Sequence, residues 1–198
     1  VELDFQLGEE EVEVTSKIQV RRLDDTAPDL FLHGEDLELR QVQIDDVVLG
    51  EDLFTADEAG LTLHQVPSTF CLQTKVAIRP QKNTRLSGLY KSSGNFCTQC
   101  EAEGFRRITY FLDRPDAMTL FRVRLEGDKA NYPVLLSNGN LIEDGELRNG
   151  RHFALWDDPF KKPSYLFALV AGDLGSIQGT FQTQSGRTVD LFIYSEKG

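Results

Sequence analysis

Gln99 and Glu101 stand two positions apart in the run Cys97-Thr98-Gln99-Cys100-Glu101-Ala102-Glu103-Gly104-Phe105-Arg106. If Thr98 to Glu101 is extended, both side chains project from one face, because strand side chains alternate with period two. The amide of Gln99 offers a donor and an acceptor, and an ionised Glu101 only accepts, so the pair suits a small cationic group such as an ammonium. The plainer reading of the same pair is a solvated strand face, which antiparallel sheets commonly present. Cys97 and Cys100 carry zinc or dithiol spacing, but zinc needs about four ligands and Cys71 is the one other cysteine. On a continuous strand the two thiols would also face opposite sides, and the βαβ setting of a redox pair is lacking.

A self-contained active site is not expected. His33, His64 and His152 are the histidines, and none opens a His-Glu-x-x-His that would set two ligands on one helical face. No Gly-x-Ser-x-Gly elbow is present, and no histidine has a visible base-orienting partner. No catalytic residue and no metal ligand is therefore assigned. The basic pairs Arg21-Arg22, Arg106-Arg107 and Lys161-Lys162 are expected to be solvated or salt-bridged.

Composition narrows the classes further. The 198 residues fit one domain with a sizeable core. With 21 basic and 32 acidic residues the net charge is −11, a sign that repels phosphate backbones, so nucleic acid and anionic membranes are poor partners. Three cysteines do not make a disulfide framework, no charged-then-apolar leader opens the sequence, and a reducing cytoplasm is the expected compartment. No apolar run approaches the roughly 20 residues of a membrane helix. The sequence opens inside a strand pattern and stops directly after another, so both ends read as cut from a longer chain.

The elements that must position the pair are strands. Val1, Leu3, Phe5 and Leu7 alternate with polar residues, and Val12, Val14, Ile18 and Val20 repeat that parity, which predicts an antiparallel hairpin. Asp24-Asp25-Thr26-Ala27-Pro28 reads as a loop, and Leu30-Phe31-Leu32 as a short buried strand. Between Leu37 and Leu49 the apolar parity slips, predicting a bulge or break, with turns at Asp45-Asp46 and Asp57 to Gly60. Phe70, Leu72, Val76 and Ile78 form another strand, with Cys71 a packed or edge thiol. Pro115 and Asp116 give the best local helix signal, a turn or two after Asp113. Phe121, Val123 and Leu125 resume alternation, and Gly127-Asp128 turns. Asn138-Gly139 between apolar runs predicts a hairpin, because both residues tolerate positive φ. Gly145 and Asn149-Gly150 mark further turns, with Phe153 and Leu155 inward between them and a boundary at Asp157-Asp158-Pro159. Tyr165 to Gly172 reads as a strand covered on both faces, and Ser185-Gly186 as the turn of a closing hairpin. About a dozen short strands with little helix predict an all-β fold of packed antiparallel sheets, a β-sandwich.

The same residues resemble the amino-terminal domain of the bacterial zinc aminopeptidase N family. The match runs through Gly88-Leu89-Tyr90, the block Cys97 to Arg106, and Ile108 to Asp116. It continues in Tyr132-Pro133, Leu135 to Asn140, Gly145-Glu146-Leu147, Asn149 to His152, Asp158-Pro159-Phe160, Pro163 to Asp173 and Ser185-Gly186-Arg187. Gly34-Glu35-Asp36-Leu37 extends it towards the start, so residues 1–198 are expected to form this one domain. The resemblance implies a saddle-like all-β domain packed against a separate catalytic domain that holds one zinc. It implies a peptide substrate with a free amino terminus, a monomeric parent enzyme, Glu101 on the substrate's α-amino group and Gln99 beside the first side chain. The family's zinc motif and its Gly-Ala-Met-Glu-Asn motif do not occur in these 198 residues, so no zinc and no activity are expected of this chain alone. The rival expectation is a stand-alone β-sandwich binding or structural module.

Overall fold

The architecture comes from a computed structural model that describes residues 1–23 and 28–197. Strands β1 (Glu2–Leu7) and β2 (Val12–Arg21) form the hairpin that their alternation predicts, with Phe5 opposite Val14 and Leu7 opposite Val12. Strand β3 (Leu30–His33) is short, and buries Leu32 while Phe31 stays exposed. In β4 (Glu38–Ile44) the parity slip appears as a register shift between Leu39 and Gln41. Asp45 and Asp46, at φ of 48° and 66°, then turn the chain into β5 (Val47–Val48). Between β6 (Phe54–Ala56) and β7 (Gly60–Leu63), the Asp57 carboxylate accepts the N–H groups of Ala59 and Gly60 at 2.8 and 3.1 Å. This is the side-chain-to-backbone bonding that makes Asp a turn former.

The chain continues through β8 (Thr69–Ile78), β9 (Gly88–Ser92), β10 (Asn95–Gln99), β11 (Thr119–Asp128) and β12 (Val134–Ser137). It ends with β13 (Asn140–Glu146), β14 (Arg151–Lys162), β15 (Leu169–Gly172), β16 (Leu174–Gln182) and β17 (Thr188–Glu196). The fold is all-β, and no described helical segment exceeds a 3-residue 3₁₀ turn.

An eight-stranded sheet runs β13-β14-β11-β1-β2-β8-β4-β5, and a four-stranded sheet runs β12-β15-β10-β9. A three-stranded sheet (β3-β7-β6) and the lone hairpin β16-β17 complete the set. Among the described residues all named pairings are antiparallel except β1 with β11, which lie parallel with Phe5 beside Leu125. Phe5, Val14, Leu72, Val123 and Leu125 of the large sheet join Phe96, Leu169 and Ala171 of the four-stranded sheet in one buried cluster. The rings of Phe105, Phe111, Phe121 and Phe167 meet edge to face within it, Phe105 lying 5.2 Å from both Phe111 and Phe167. Aromatic pairs prefer such T-shaped contacts.

Several local expectations are corrected. Asn138-Gly139 does not close a hairpin, since β12 pairs with β15 and β13 with β14 in different sheets. The dipeptide makes a corner instead. Gly139 sits at φ 89°, where a Cβ would come within 2.3 Å of the Asp157 carbonyl oxygen, and the Asn138 amide bonds Leu166 and Ala168. On β14 the core side is Ala154, Trp156 and Asp158, opposite Leu125, Val123 and Phe121, so Phe153 and Leu155 face the other way. Phe153 there lies under the Arg124 guanidinium, 4.9 Å away. The helix of a turn or two expected after Asp113 does not form: residues 115 and 116 make a non-helical turn closed by the Ala117 N–H on the Arg114 carbonyl at 3.1 Å, because Asp113 is buried elsewhere and the Asp116 carboxylate is taken by Arg114. The apolar run from Tyr165 begins in a 3₁₀ turn over Ser164–Leu166, and only Leu169–Gly172 is strand. Gly127-Asp128 belongs to the end of β11 and Gly145 to β13 rather than to turns, and β14 runs on through Asp157-Asp158-Pro159. The loop read at Asp24 to Ala27 lies outside the described residues.

Candidate functional site

The site is built at the end of β10, and Thr98 is its first fixed point. Its Oγ1 accepts the Leu169 N–H at 2.8 Å and donates to the Leu169 carbonyl at 3.1 Å, extending by one rung a backbone ladder that ends at Cys97 and Val170. The strand stops at Gln99, and residues 101 to 104 turn, with the Gly104 N–H bonded to the Cys100 carbonyl at 2.8 Å. Cys100 and Phe105 are buried at the two ends of this turn. Glu101, Ala102 and Glu103 between them are exposed.

The extended Thr98 to Glu101 segment from which a shared face was expected is therefore not formed. Glu101 reaches the surface from a turn, not by strand alternation. Gln99 and Glu101 are nevertheless both exposed and adjacent, the Gln99 Nε2 donating to the Glu101 carbonyl at 3.2 Å. The Glu101–Ala102 peptide bond is cis. Among the described residues, no hydrogen bond or ion pair engages the Glu101 carboxylate, whereas Glu103 reaches Arg106 at 3.4 Å.

Arg106 and Arg107 hold the turn from below, each with its side chain only 12% exposed. Asp113 Oδ2 accepts both the backbone N–H and the Nε of Arg106, at 3.1 and 3.0 Å, and the Asp113 carbonyl accepts Nη2 at 3.1 Å. The other carboxylate oxygen, Oδ1, accepts the Ser164 hydroxyl at 2.5 Å. Arg107 is paired with Glu35 and Asp36. Of the two readings of the pair Arg106-Arg107, the salt-bridged one holds. That Asp113 and Ser164 belong to this site was not read from sequence, since they lie 7 and 58 positions beyond Arg106 and carry no motif of their own.

The thiols are unlinked. Burial, aided by the Asp113 charge, pushes the Cys100 thiol up to about 12, and burial followed by Glu196 raises that of Cys97. Both are thus held as thiols, the inert form of cysteine. His64 is held between Asp29 and Thr55 at 3.0 and 2.9 Å, and His152 Nε2 donates to the Tyr132 carbonyl at 2.7 Å. Among the described residues no group of three or more His, Cys, Asp or Glu side chains is gathered as a metal site.

The fold and this surface define an all-β domain with an exposed amide and carboxylate adjacent to each other at the end of β10. Residues 1–166 match the Peptidase M1 N-terminal domain family, and the chain belongs to it. It is 48% identical to aminopeptidase N of Caulobacter vibrioides over 196 residues, covering 99% of this chain and 23% of that protein. To aminopeptidase N of Escherichia coli it is 47% identical over 201 residues, covering 100% of this chain and 22% of the relative. The chain thus spans under a quarter of the length of these curated relatives. Among solved structures, Legionella pneumophila aminopeptidase A in complex with aspartic acid superimposes with a TM-score of 0.91 at 36% identity, over 98% of this chain and 23% of that one. An M1 zinc metallopeptidase of Deinococcus radiodurans, bound to a Tyr-Ser-Ala substrate, shares the fold with a TM-score of 0.82 at 16% identity, over 100% of this chain and 47% of that one.

Proposed function

We propose that this chain is the substrate-anchoring domain of a zinc-dependent aminopeptidase. Glu101 receives the α-ammonium of the peptide, and Gln99 borders the pocket of the first side chain. The carrying observation is the Glu101 carboxylate itself, exposed and unengaged among the described residues on a turn whose flanking residues are buried or bonded. An ammonium supplies the charge-assisted donors that such a carboxylate accepts. Anchoring the terminal nitrogen determines which peptide bond is presented for cleavage, because a fixed geometry replaces a random encounter.

The residues of this chain do not make a zinc site among those described, so the metal would be held by the remainder of the polypeptide. This chain's part is to bind and orient, and alone it is inactive. The hairpin β16-β17 supports a covering neighbour. Ile177 faces Ile193, Phe181 faces Val189, and Leu191 lies over Gly179, which makes one side of the hairpin apolar. Ile177 is 71% exposed and Ile193 64%. An isolated two-stranded ribbon is marginal in water, and an uncovered apolar face marks an interaction surface. This favours a domain that packs against the rest of a larger enzyme over a free-standing module. The unlinked thiols are in keeping with a cytoplasmic location.

The test is Glu101→Ala in the full-length enzyme. A charge-assisted contact contributes about 1.5–3 kcal/mol, so kcat/KM for peptides with a free amine should fall about 10- to 150-fold. Activity within about twofold of the parent would refute the assignment. Gln99→Ala should chiefly change the preference among first residues.

A further inference from the structure

Residues 101 to 104 lie beyond the strand ladder, bonded to their own turn through Gly104 and Cys100. The direction in which Glu101 points is therefore set by what grips the two ends of the turn. At the near end, Gly104 presses on the Gln99 carbonyl oxygen, which a Cβ would approach to 2.3 Å. At the far end, the N–H of Arg106 goes to Asp113, its carbonyl accepts the Glu35 N–H at 3.0 Å, and its guanidinium goes to Asp113 again. Asp113 has a side chain only 1% exposed, and its remaining oxygen is fixed by Ser164, which is itself buried. A buried ion pair is weak support for stability, because desolvation cancels much of its attraction. Fixed geometry is what this one supplies.

We propose that Asp113 and Ser164 are positioning residues for peptide recognition. They act through Arg106 to aim the Glu101 carboxylate and do not touch the peptide. This rests on the reading of Glu101 above. Removing either one loosens the far end of the turn, and a misplacement of about 1 Å at a binding group can cost about a hundredfold.

The experiment uses the full-length enzyme and an alanyl arylamide as the probe. Ser164→Ala, which removes one hydroxyl and leaves the Arg106–Asp113 pair, and Asp113→Asn are each made alone and combined with Glu101→Ala. Each single variant should raise KM about three- to tenfold with a smaller change in kcat, and the same change should add less than about twofold once Glu101 is gone. KM does not depend on the fraction of molecules folded, so lost stability cannot imitate this result. The inference is overturned if KM is unmoved in both single variants, or if the full factor persists beside Glu101→Ala. Where Glu101→Ala is itself silent, the function proposed above falls, and this inference with it. Where Glu101→Ala is damaging and both positioning variants are silent, only this inference falls.

Discussion

Gly104→Ala isolates the steric requirement of the turn from every other contribution. Gly104 has φ −81° and ψ −17°, which alanine adopts freely, so no backbone penalty attaches to the change. The obstacle is space. An added Cβ would lie 2.3 Å from the Gln99 carbonyl oxygen, 2.9 Å from the Gly88 nitrogen and 3.0 Å from the Cys100 Cα, all backbone atoms. Ordinary contact begins near 3.4 Å, so the turn must open by about 1 Å, against two paired strands that cannot yield by a rotamer change. Overpacking of this kind costs about 1–3 kcal/mol, or a drop in Tm of about 2 to 12 °C for a chain of this size. The same displacement carries Glu101 with it, so kcat/KM of the full-length enzyme should fall about a hundredfold. Thermal unfolding and steady-state kinetics read the two effects separately. A Gly104→Ala protein with Tm and kcat/KM equal to those of the unsubstituted enzyme would refute the tight-turn account.

Two further outcomes follow from burial. The Cys100 thiol is raised to about 12 in the fold, against about 9 unfolded, so the unfolded chain releases its proton first as pH rises. Its contribution to stability is complete below about pH 9 and is lost as pH rises towards 12. Tyr110 and Tyr132, also raised by burial, add to that slope, so under reducing conditions Cys100→Ala should flatten the alkaline loss without abolishing it; an unchanged slope would contradict the assignment. The backbone amides of β16 and β17 should exchange hydrogen quickly in this chain alone and slowly in the full-length enzyme, and equal exchange in both would remove the hairpin as a contact with the rest of the polypeptide.

Features carried by adjacent residues were legible beforehand. The opening hairpin follows from the matched parity of Leu3, Phe5 and Leu7 with Val12 and Val14. Asp45-Asp46 and Asn149-Gly150 turn because their side chains tolerate positive φ wherever they are placed. Asn138-Gly139 shows the boundary of that logic. The dipeptide specifies a positive-φ corner, but whether the flanking strands then pair with each other depends on which partners, β15 and β14, offer the better edge. On β14 the residues alternate equally well in either phase. The partner β11 selected the one that seats Ala154 and Trp156 inward and leaves Phe153 under Arg124.

Composition and local pattern by themselves determined an all-β chain, its main turns, and the pair Gln99 and Glu101 as residues worth attention. Only the tertiary structure decided that β1 lies parallel to β11, more than a hundred residues away, and that Glu101 leaves the sheet on a turn. It also decided that Asp113 and Ser164 lie beneath that turn. The reason is range. Dihedral preference and side-chain alternation act over a few neighbours, whereas a buried carboxylate acquires its partners only when the whole core closes around it.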